Sequence, residues 1–307
     1  MIWKVINVIL IFLIVVFSFA FMFDDLTQKP IELRADYVEP ESLGTIVDYG
    51  AVPIFAENMR FNHNLISYWI DKDCDKVRRD DMVAAFSIFS DEVKVISFYE
   101  GNASSDIKVE CSNDFVELGG ELFAAGEGGP SRIINTSGFK VIEEGKVILY
   151  NGEDCVYPIV ALHELGHVFG FDHSPDIRNI MYNTSNCWQR MSPDMGKVMR
   201  ELYLIEALAD ARVESVNGKI QGRYLDFNIS ILNEGLVRID SIDLTVIADG
   251  EVVDVVDLGD IEIGYGRTLK VENMLLSGKV EVMEFVVDKK NLVRELNEDN
   301  NVVEMKV

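Results

Sequence analysis

Positive charge is scarce in this sequence. Its 28 lysines and arginines stand against 52 aspartates and glutamates, which gives a formal net charge of -24 at pH 7. Nucleic acids and anionic lipid headgroups attract cationic surfaces, so the overall field of this molecule draws it to neither. We therefore expect no nucleic-acid partner. The acidity also serves solubility, and by itself it assigns no function.

Long hydrophobic runs are also lacking, with one exception near the N-terminus. Residues 5–23 are apolar apart from two polar positions, a lysine precedes them, and two aspartates follow. The run is close to the roughly 20 residues that span a bilayer, and the flanking charges favour a signal anchor with a cytoplasmic N-terminus. The small residues Ser18 and Ala20 equally fit a cleaved signal peptide over residues 1–23. Both interpretations place the body of the protein outside the cytoplasm, either anchored at the cell surface through the membrane or secreted.

Cysteine is limited to four residues. An even number of cysteines in a chain that is expected to be exported predicts disulfides rather than free thiols. Their spacing does not resemble a metal site. We expect one disulfide between Cys74 and Cys111 and another between Cys155 and Cys187, the second joining the segments that enter and leave the histidine motif described below.

Proline is infrequent too, and its distribution marks one segment. Three of the seven prolines fall within residues 24–60, which also carry scattered acids and no sustained hydrophobic period. Such a stretch is typical of a stem or a pro-segment. The remaining length suffices for two globular domains, at roughly 150 residues per domain, and we place them at residues 61–210 and 211–307. The sequence predicts no oligomeric state.

The first of these domains mixes two kinds of hydrophobic pattern. Apolar residues at helical spacing predict one helix from about residue 77 to 90 and another from 158 to 169. Ser192 and Pro193 predict the start of a third helix, as N-cap and first turn. Short β-branched or aromatic runs between the helices predict a small sheet.

Histidine is scarce, with four in the chain, and three of the four lie within eleven residues. His163 and His167 are four residues apart, so on the predicted helix they share one face and can present two nitrogens to one metal ion. Gly170 can adopt a positive φ and turn the chain back, which brings in His173 as a third ligand. The fourth histidine, His63, is expected to be an ordinary polar residue.

This spacing predicts a catalytic rather than a closed metal site. Three neutral histidines leave the fourth tetrahedral position of Zn²⁺ open to water, whose pKa zinc lowers to about 7. Glu164 flanks the ligands and is placed to take the proton of the attacking water. A structural zinc site would need a fourth protein ligand, and no nearby cysteine or histidine with suitable spacing is free. The residues thus predict zinc-dependent hydrolysis with Glu164 as general base.

His163–His173 resembles the extended zinc-binding motif of the metzincins, and Ser174 after it is similar to their matrixin branch. Asn179–Tyr182 resembles the Met-turn of these enzymes, which implies that Met181 forms an apolar floor beneath the ligands. Without the resemblance, Met181 would be interpreted as a core residue. The resemblance implies a zinc endopeptidase that acts on protein or peptide substrates. It also implies an α+β catalytic domain over residues 61–210, with a small twisted mixed sheet and three helices.

Gly126–Ile134 is similar to the strand that lines the matrixin cleft. An exposed edge strand offers unpaired backbone groups to an extended peptide, so we expect Gly129, Ser131 and Ile133 to contact substrate. Two features of the animal matrix metalloproteinases are missing. The segment before the domain has no cysteine that could keep the enzyme latent, and no histidines remain for a second, structural zinc site. Acidic loops could bind Ca²⁺, but no ligands are assigned.

Residues 211–307 show only strand alternation, and Asp249–Gly250 marks a hairpin. Val293–Asn301 resembles the cell-adhesion-related, immunoglobulin-like (CARDB) domains of prokaryotic surface proteins. The expected fold class is therefore α+β, a metzincin-type domain followed by an all-β immunoglobulin-like sandwich. The expected function is a surface-anchored or secreted zinc endopeptidase. The alternative is an adhesion or binding protein with the peptidase fold as scaffold, against which Glu164 argues because a scaffold does not need the base.

Overall fold

The computed structural model describes residues 31–34, 47–114, 116–119, 122–150 and 155–307. The chain forms two compact units. The first contains the described part of residues 39–208 together with residues 234–237. The second contains residues 209–233 and 238–307 together with strand β1 (Ile31–Arg34). The first unit combines three helices with a mixed sheet and the second is a β-sandwich, so the predicted fold class is confirmed.

The first unit is built on a six-stranded sheet with the order β2-β9-β5-β3-β4, in which β8 also pairs with β9. Its strands are β2 (Met59–Arg60), β3 (Leu65–Ile70), β4 (Ser97–Glu100), β5 (Ile107–Cys111), β8 (Gly126–Asn135) and β9 (Lys140–Leu149), and a separate ribbon consists of β6 (Glu117–Gly119) and β7 (Leu122–Phe123). The β8–β9 pair is antiparallel and the other pairs of this sheet are parallel. Among the strands that the structure describes, β8 pairs with β9 alone, so its far side is an open edge.

The three helices of this unit are α1 (Lys76–Val93), α2 (Ile159–Val168) and α3 (Pro193–Leu204). Asp75 caps α1 by accepting the N–H groups of residues 77 and 78, and Ser192 caps α3 by accepting that of residue 195. Such caps satisfy N–H groups that have no partner within a helix. The predicted bounds of α1 and α2 hold to within three residues, and the predicted start of α3 is confirmed.

The core of the first unit joins the helices to the sheet. Phe89 of α1 stacks on Phe169, directly after α2, with ring centroids 4.7 Å apart. Arg60 of β2 is fully buried, donates to the carbonyl of Leu202 at 2.7 Å, and lies over the ring of Tyr203. This guanidinium satisfies carbonyls at the C-terminal end of α3 that lack helical partners, which anchors the helix to the sheet.

Two disulfides brace the first unit, and both are the pairs expected from the sequence. Cys74 is bonded to Cys111, and Cys155 to Cys187. The first joins the loop before α1 to the end of β5. The second joins the segment that precedes α2 to the loop that follows the Met-turn region, so it ties together the two sides of the histidine motif.

The second unit consists of two antiparallel sheets, with the orders β1-β10-β11-β14 and β13-β12-β15-β16. Its strands after β1 are β10 (Ala211–Gln221), β11 (Tyr224–Asn233), β12 (Ile239–Ala248), β13 (Glu251–Ile261), β14 (Gly266–Leu275), β15 (Val282–Val287) and β16 (Val302–Lys306). Phe227 and Phe285, one from each sheet, approach within 5.0 Å between ring centroids. The predicted hairpin turn is present, because Asp249 and Gly250 connect β12 to β13 with φ of 48° and 82°.

The N-terminal segments expected from the sequence are only partly within the described residues. Residues 1–23, predicted to be a signal anchor or signal peptide, lie outside them. In the described part of the chain no helix is long and apolar enough to cross a membrane. Within residues 24–60, expected to be a stem or pro-segment, β1 pairs with β10 of the sandwich and residues 47–60 belong to the first unit. A four-residue edge strand is too short to produce a recognisable hydrophobic period.

Candidate metal centre and active site

The three histidines of the motif come together at the end of α2. One ligand atom from each of His163, His167 and His173 lies within 4.8 Å of the other two. The first two share a face of α2, and the third follows a turn that begins at Gly170, where φ is +90°. An L side chain rarely adopts that φ, so glycine is required for the chain to return towards the helix. Elsewhere in the described residues no comparable group of histidine, cysteine or carboxylate ligands occurs.

The hydrogen bonds of two rings fix their tautomers. Nδ1 of His163 lies 2.8 Å from the carbonyl oxygen of Ile180, and Nδ1 of His167 lies 2.8 Å from that of Phe171. A carbonyl oxygen can only accept, so Nδ1 carries the proton in both rings. In the neutral rings Nε2 is then a bare lone pair, which is the state that binds a metal.

The two Nε2 atoms face each other in a way that fits a metal ion. They lie 3.0 Å apart, and neither carries a proton when its ring is neutral. Two lone pairs at this distance repel unless a cation lies between them. Histidine nitrogens bound to one tetrahedral zinc at 2.0 to 2.1 Å would be about 3.3 Å apart, close to the separation here. The donor set and its spacing therefore fit Zn²⁺.

Burial sets the acid–base character of this site. Burial lowers the pKa of His163 to about 4, although the hydrogen bond to the Ile180 carbonyl acts to raise that pKa. This ring is therefore neutral over the physiological range. Burial also raises the pKa of Glu164 to about 8, and the nearby carboxylate of Glu127 adds to the shift. A divalent cation beside Glu164 would lower that pKa, because an opposite charge favours the ionised form.

Strand β8 approaches α2 closely at Glu164, and two glycines make the approach possible. A Cβ at Gly128 would meet the Glu164 carbonyl oxygen at 2.1 Å, and a Cβ at Gly126 would meet the Glu164 Cγ at 2.7 Å. Between them, Glu127 accepts a hydrogen bond from the Tyr150 hydroxyl at 2.7 Å. Glu164 therefore lies directly against the edge strand, with a second carboxylate beside it.

Met181 packs against α2, which carries the first two histidines. It is 1% exposed, and its Sδ would be 2.4 Å from a Cβ at Gly166 of α2, so it packs on the helix between the two ligand positions. Its carbonyl accepts the N–H of Ser174 at 2.8 Å, which links this turn to the residue that follows His173. Met181 is thus both a core residue and part of the wall beside the histidines.

The three residues expected to contact substrate all lie on β8. Gly129 pairs with Lys146 and Ile133 with Ile142, while Ser131 lies in an irregularity of the β8–β9 register. The hydroxyl of Ser131 donates to the Glu144 carboxylate at 2.9 Å, so part of its hydrogen-bonding capacity is used within the sheet. These positions are on the open edge strand, and their contact with substrate is a prediction.

Several groups that shape the site could not be found from the sequence. The carbonyls of Ile180 and Phe171 orient two rings through the backbone, which every residue type supplies. Residues 53–55, which contact the turn before His173, carry no motif. The glycine alternation at positions 126 and 128 is the one visible signal, because alternate glycines in a strand indicate a close approach on one face.

Two separate stretches of the chain match models of known protein families. Residues 60–203 match the family model for matrixin, and residues 212–305 match that for CARDB. No curated protein matches the chain.

A crystal structure of a CARDB domain from Pyrococcus furiosus, in complex with di-metal ions, is 21% identical, with 33% of this chain and 93% of that chain covered and a TM-score of 0.29. A domain of a Methanosarcina acetivorans protein described as a cell surface protein is 23% identical, with 33% and 90% covered and a TM-score of 0.27. The matrixin match supports a metallopeptidase, and the chain is thus similar to matrixins over residues 60–203 and to CARDB domains over residues 212–305.

Proposed function

We propose that this protein is a zinc-dependent endopeptidase that hydrolyses peptide bonds of extracellular or cell-surface proteins. The observation that carries the proposal is the pair of unprotonated Nε2 atoms of His163 and His167, which face each other at 3.0 Å with His173 beside them. The matrixin match over residues 60–203 supports the same conclusion.

In this proposal His163, His167 and His173 hold the zinc through their ring nitrogens. A bound zinc ion would polarise a substrate carbonyl and lower the pKa of a water. Glu164 follows the first ligand directly and is 6% exposed, so its carboxylate exchanges protons within the site rather than with bulk solvent. It takes a proton from the attacking water on one carboxylate oxygen and delivers it to the nitrogen of the leaving amine.

The substrate would bind as an added strand on β8. Extended peptides bind to an open sheet edge through backbone hydrogen bonds, which favours an unfolded or flexible segment of a protein. Because Gly126 and Gly128 bring β8 against Glu164, a peptide on that edge would run beside the base. Gly129, Ser131 and Ile133 would contribute to this edge.

The second unit gives the proposal its location. The CARDB match over residues 212–305 indicates an adhesion-like module, and the two disulfides fit an oxidising compartment outside the cytoplasm. We propose that the chain acts at the cell surface or after secretion, with residues 5–23 as its anchor or leader. The same match also favours the second candidate function, a binding protein in which the peptidase unit is a scaffold.

The experiment that separates the two candidates compares the full-length wild type with Glu164→Gln and a control, Glu201→Gln, on the partly exposed face of α3. Each protein is loaded with zinc, its metal content is measured, and cleavage of an unstructured protein and a quenched peptide library is followed. We expect Glu164→Gln to bind zinc but to lose roughly 10²- to 10⁴-fold in kcat/KM, since that is the usual contribution of a general base. The control should match the wild type.

Each outcome of this experiment bears on one part of the proposal. If the zinc-loaded wild type cleaves nothing, the endopeptidase assignment is wrong and the scaffold candidate is favoured. If Glu164→Gln is as active as the wild type, the protein is a peptidase but Glu164 is not its base.

A further inference from the structure

A short segment upstream of the sheet pairs with the turn that carries the third histidine. Ile54 forms an antiparallel bridge with Phe171. The N–H of Phe55 donates to the carbonyl oxygen of Gly170 at 3.0 Å, and the N–H of Asp172 donates to that of Pro53 at 3.0 Å. Residues 53–55 thus act as a short strand along the whole turn between the second and third histidines.

This turn determines the geometry of two of the three histidines. The carbonyl oxygen of Phe171 accepts from Nδ1 of His167 at 2.8 Å, so its position fixes the orientation of that ring. The carboxylate of Asp172 accepts the N–H of His173 at 2.7 Å, at the point where the chain returns to the site. A shift of the turn would therefore move one ring and the backbone of another.

The turn is also tied to α2, because the N–H groups of Gly170 and Phe171 donate to the carbonyls of His167 and Gly166 at 3.1 and 3.2 Å. Gly170 supplies the positive φ but no side chain, and a Cβ there would lie 3.2 Å from the Cβ and Sδ of Met59. Met59 is 2% exposed and belongs to β2, which follows the 53–55 segment after three intervening residues. The chain before β2 and β2 itself thus hold the turn from one side, while Phe171 is buried beneath it.

We propose that residues 53–55 are a positioning strand of the metal centre, which holds the 170–172 turn so that His167 and His173 meet the metal in the correct orientation. This inference rests on the proposed zinc site. It has a consequence for processing of the chain, because a cut that leaves a competent metal centre must fall before Pro53. Cleavage at the end of the expected pro-segment, near residue 60, would remove the strand.

The test removes one backbone N–H and keeps the rest of the chain. Phe55→Pro in the full-length protein deletes the donor to Gly170, and the preceding Ile54 is in a β-bridge, a conformation that tolerates a following proline. The matched control is Phe55→Ala, which keeps the N–H and removes a side chain that is 49% exposed. The readouts are zinc affinity by chelator competition, the visible absorption of Co²⁺ bound in place of zinc, and the thermal melting of the metal-free protein.

We expect Phe55→Pro to bind zinc roughly 10- to 100-fold more weakly, as is usual when a group that orients a ligand is lost, and to alter the Co²⁺ spectrum. Phe55→Ala should bind zinc as the wild type does. Should Phe55→Pro fail to fold, Pro53→Gly serves instead, because it loosens the strand without removing a hydrogen bond, and a loss of roughly two- to fivefold is expected.

The outcomes distinguish this inference from the proposed function. Wild-type zinc affinity and an unchanged Co²⁺ spectrum in a folded Phe55→Pro protein would overturn the positioning role, as would unchanged affinity in Pro53→Gly where that variant is used. A wild type that binds no zinc would instead overturn the metal site itself. Equal weakening by Phe55→Ala would trace the effect to the side chain, and would also overturn the role of the backbone pairing.

Discussion

Gly128→Ala perturbs the contact between the edge strand and the base with a single methyl group. A Cβ at this position would lie 2.1 Å from the Glu164 carbonyl oxygen, about 1.3 Å short of the 3.4 Å at which ordinary contact begins. The atom it meets is helix backbone, which cannot rotate away, so β8 has to move by about an ångström. Overpacking of this kind costs about 1 to 3 kcal/mol, which is less than the 5 to 15 kcal/mol that stabilises a typical domain, so the variant should still fold.

Activity should fall as well. A misplacement of about 1 Å near reacting groups lowers rates by roughly 100-fold, and here the displaced strand is the proposed substrate edge. The matched control for stability is Gly129→Ala, whose added Cβ has no atom within 4 Å. Urea unfolding followed by tryptophan fluorescence reports on the first unit, because Trp69 and Trp188 both lie there.

Gly128→Ala and Gly129→Ala should differ in unfolding free energy. We expect Gly128→Ala to lose stability and roughly 100-fold in kcat/KM, while Gly129→Ala stays within about 0.5 kcal/mol of the wild type in unfolding free energy. If Gly128→Ala unfolds at the same urea concentration as Gly129→Ala and cleaves as well as the wild type, the close approach of β8 to α2 is not a constraint, and the proposed substrate edge beside Glu164 is wrong.

Two further substitutions test other parts of the molecule. Gly166→Ala places a Cβ 2.4 Å from the Sδ of Met181, but this neighbour is a flexible side chain and alanine favours the helix. We therefore expect the unfolding free energy in urea to change by less than about 1 kcal/mol. A loss as large as that of Gly128→Ala would contradict this expectation. Glu295 tests pH dependence, since burial raises its pKa to about 7 from an ordinary 4.5. The folded state then keeps a proton that the unfolded chain has released, so stability falls as pH rises from about 4.5 to 7. Glu295→Gln cannot ionise, and its unfolding by circular dichroism should change less across that range than that of the wild type; equal slopes would refute the shift.

The grouping of the three histidines was predictable because their spacing determines where they lie. Two histidines four residues apart must share a helix face, and only a residue that tolerates positive φ lets the chain return within three residues. Gly170 has that φ in the structure. The helix cap at Ser192 and the hairpin at Asp249–Gly250 belong to the same class of local signals, in which a residue type matches one backbone conformation.

The rest could not be predicted, because it depends on backbone groups that are brought together by the fold. Phe171 and Ile180 orient histidine rings through carbonyls, and Pro53 and Phe55 hold the turn through a carbonyl and an N–H. No residue type is specific to such a role, because every residue has a backbone carbonyl. Residues 24–60 show no hydrophobic period because their paired stretches, Ile31–Arg34 and residues 53–55, are too short for an alternation to be recognised.

This distribution of roles explains what the motif can and cannot guarantee. His163 to His173 specifies which atoms can bind zinc, but the orientation of the His163 ring depends on Ile180, several residues downstream, and the path of the turn depends on residues 53–55, more than a hundred residues upstream. The side chains of the paired residues differ in burial: Phe171 is 1% exposed, whereas Phe55 is 49% exposed. Substitutions that keep the backbone path should therefore leave the metal centre intact, while a change that removes one N–H at an exposed position should damage it. The motif is thus necessary for the site, and the upstream strand supplies part of what makes it sufficient.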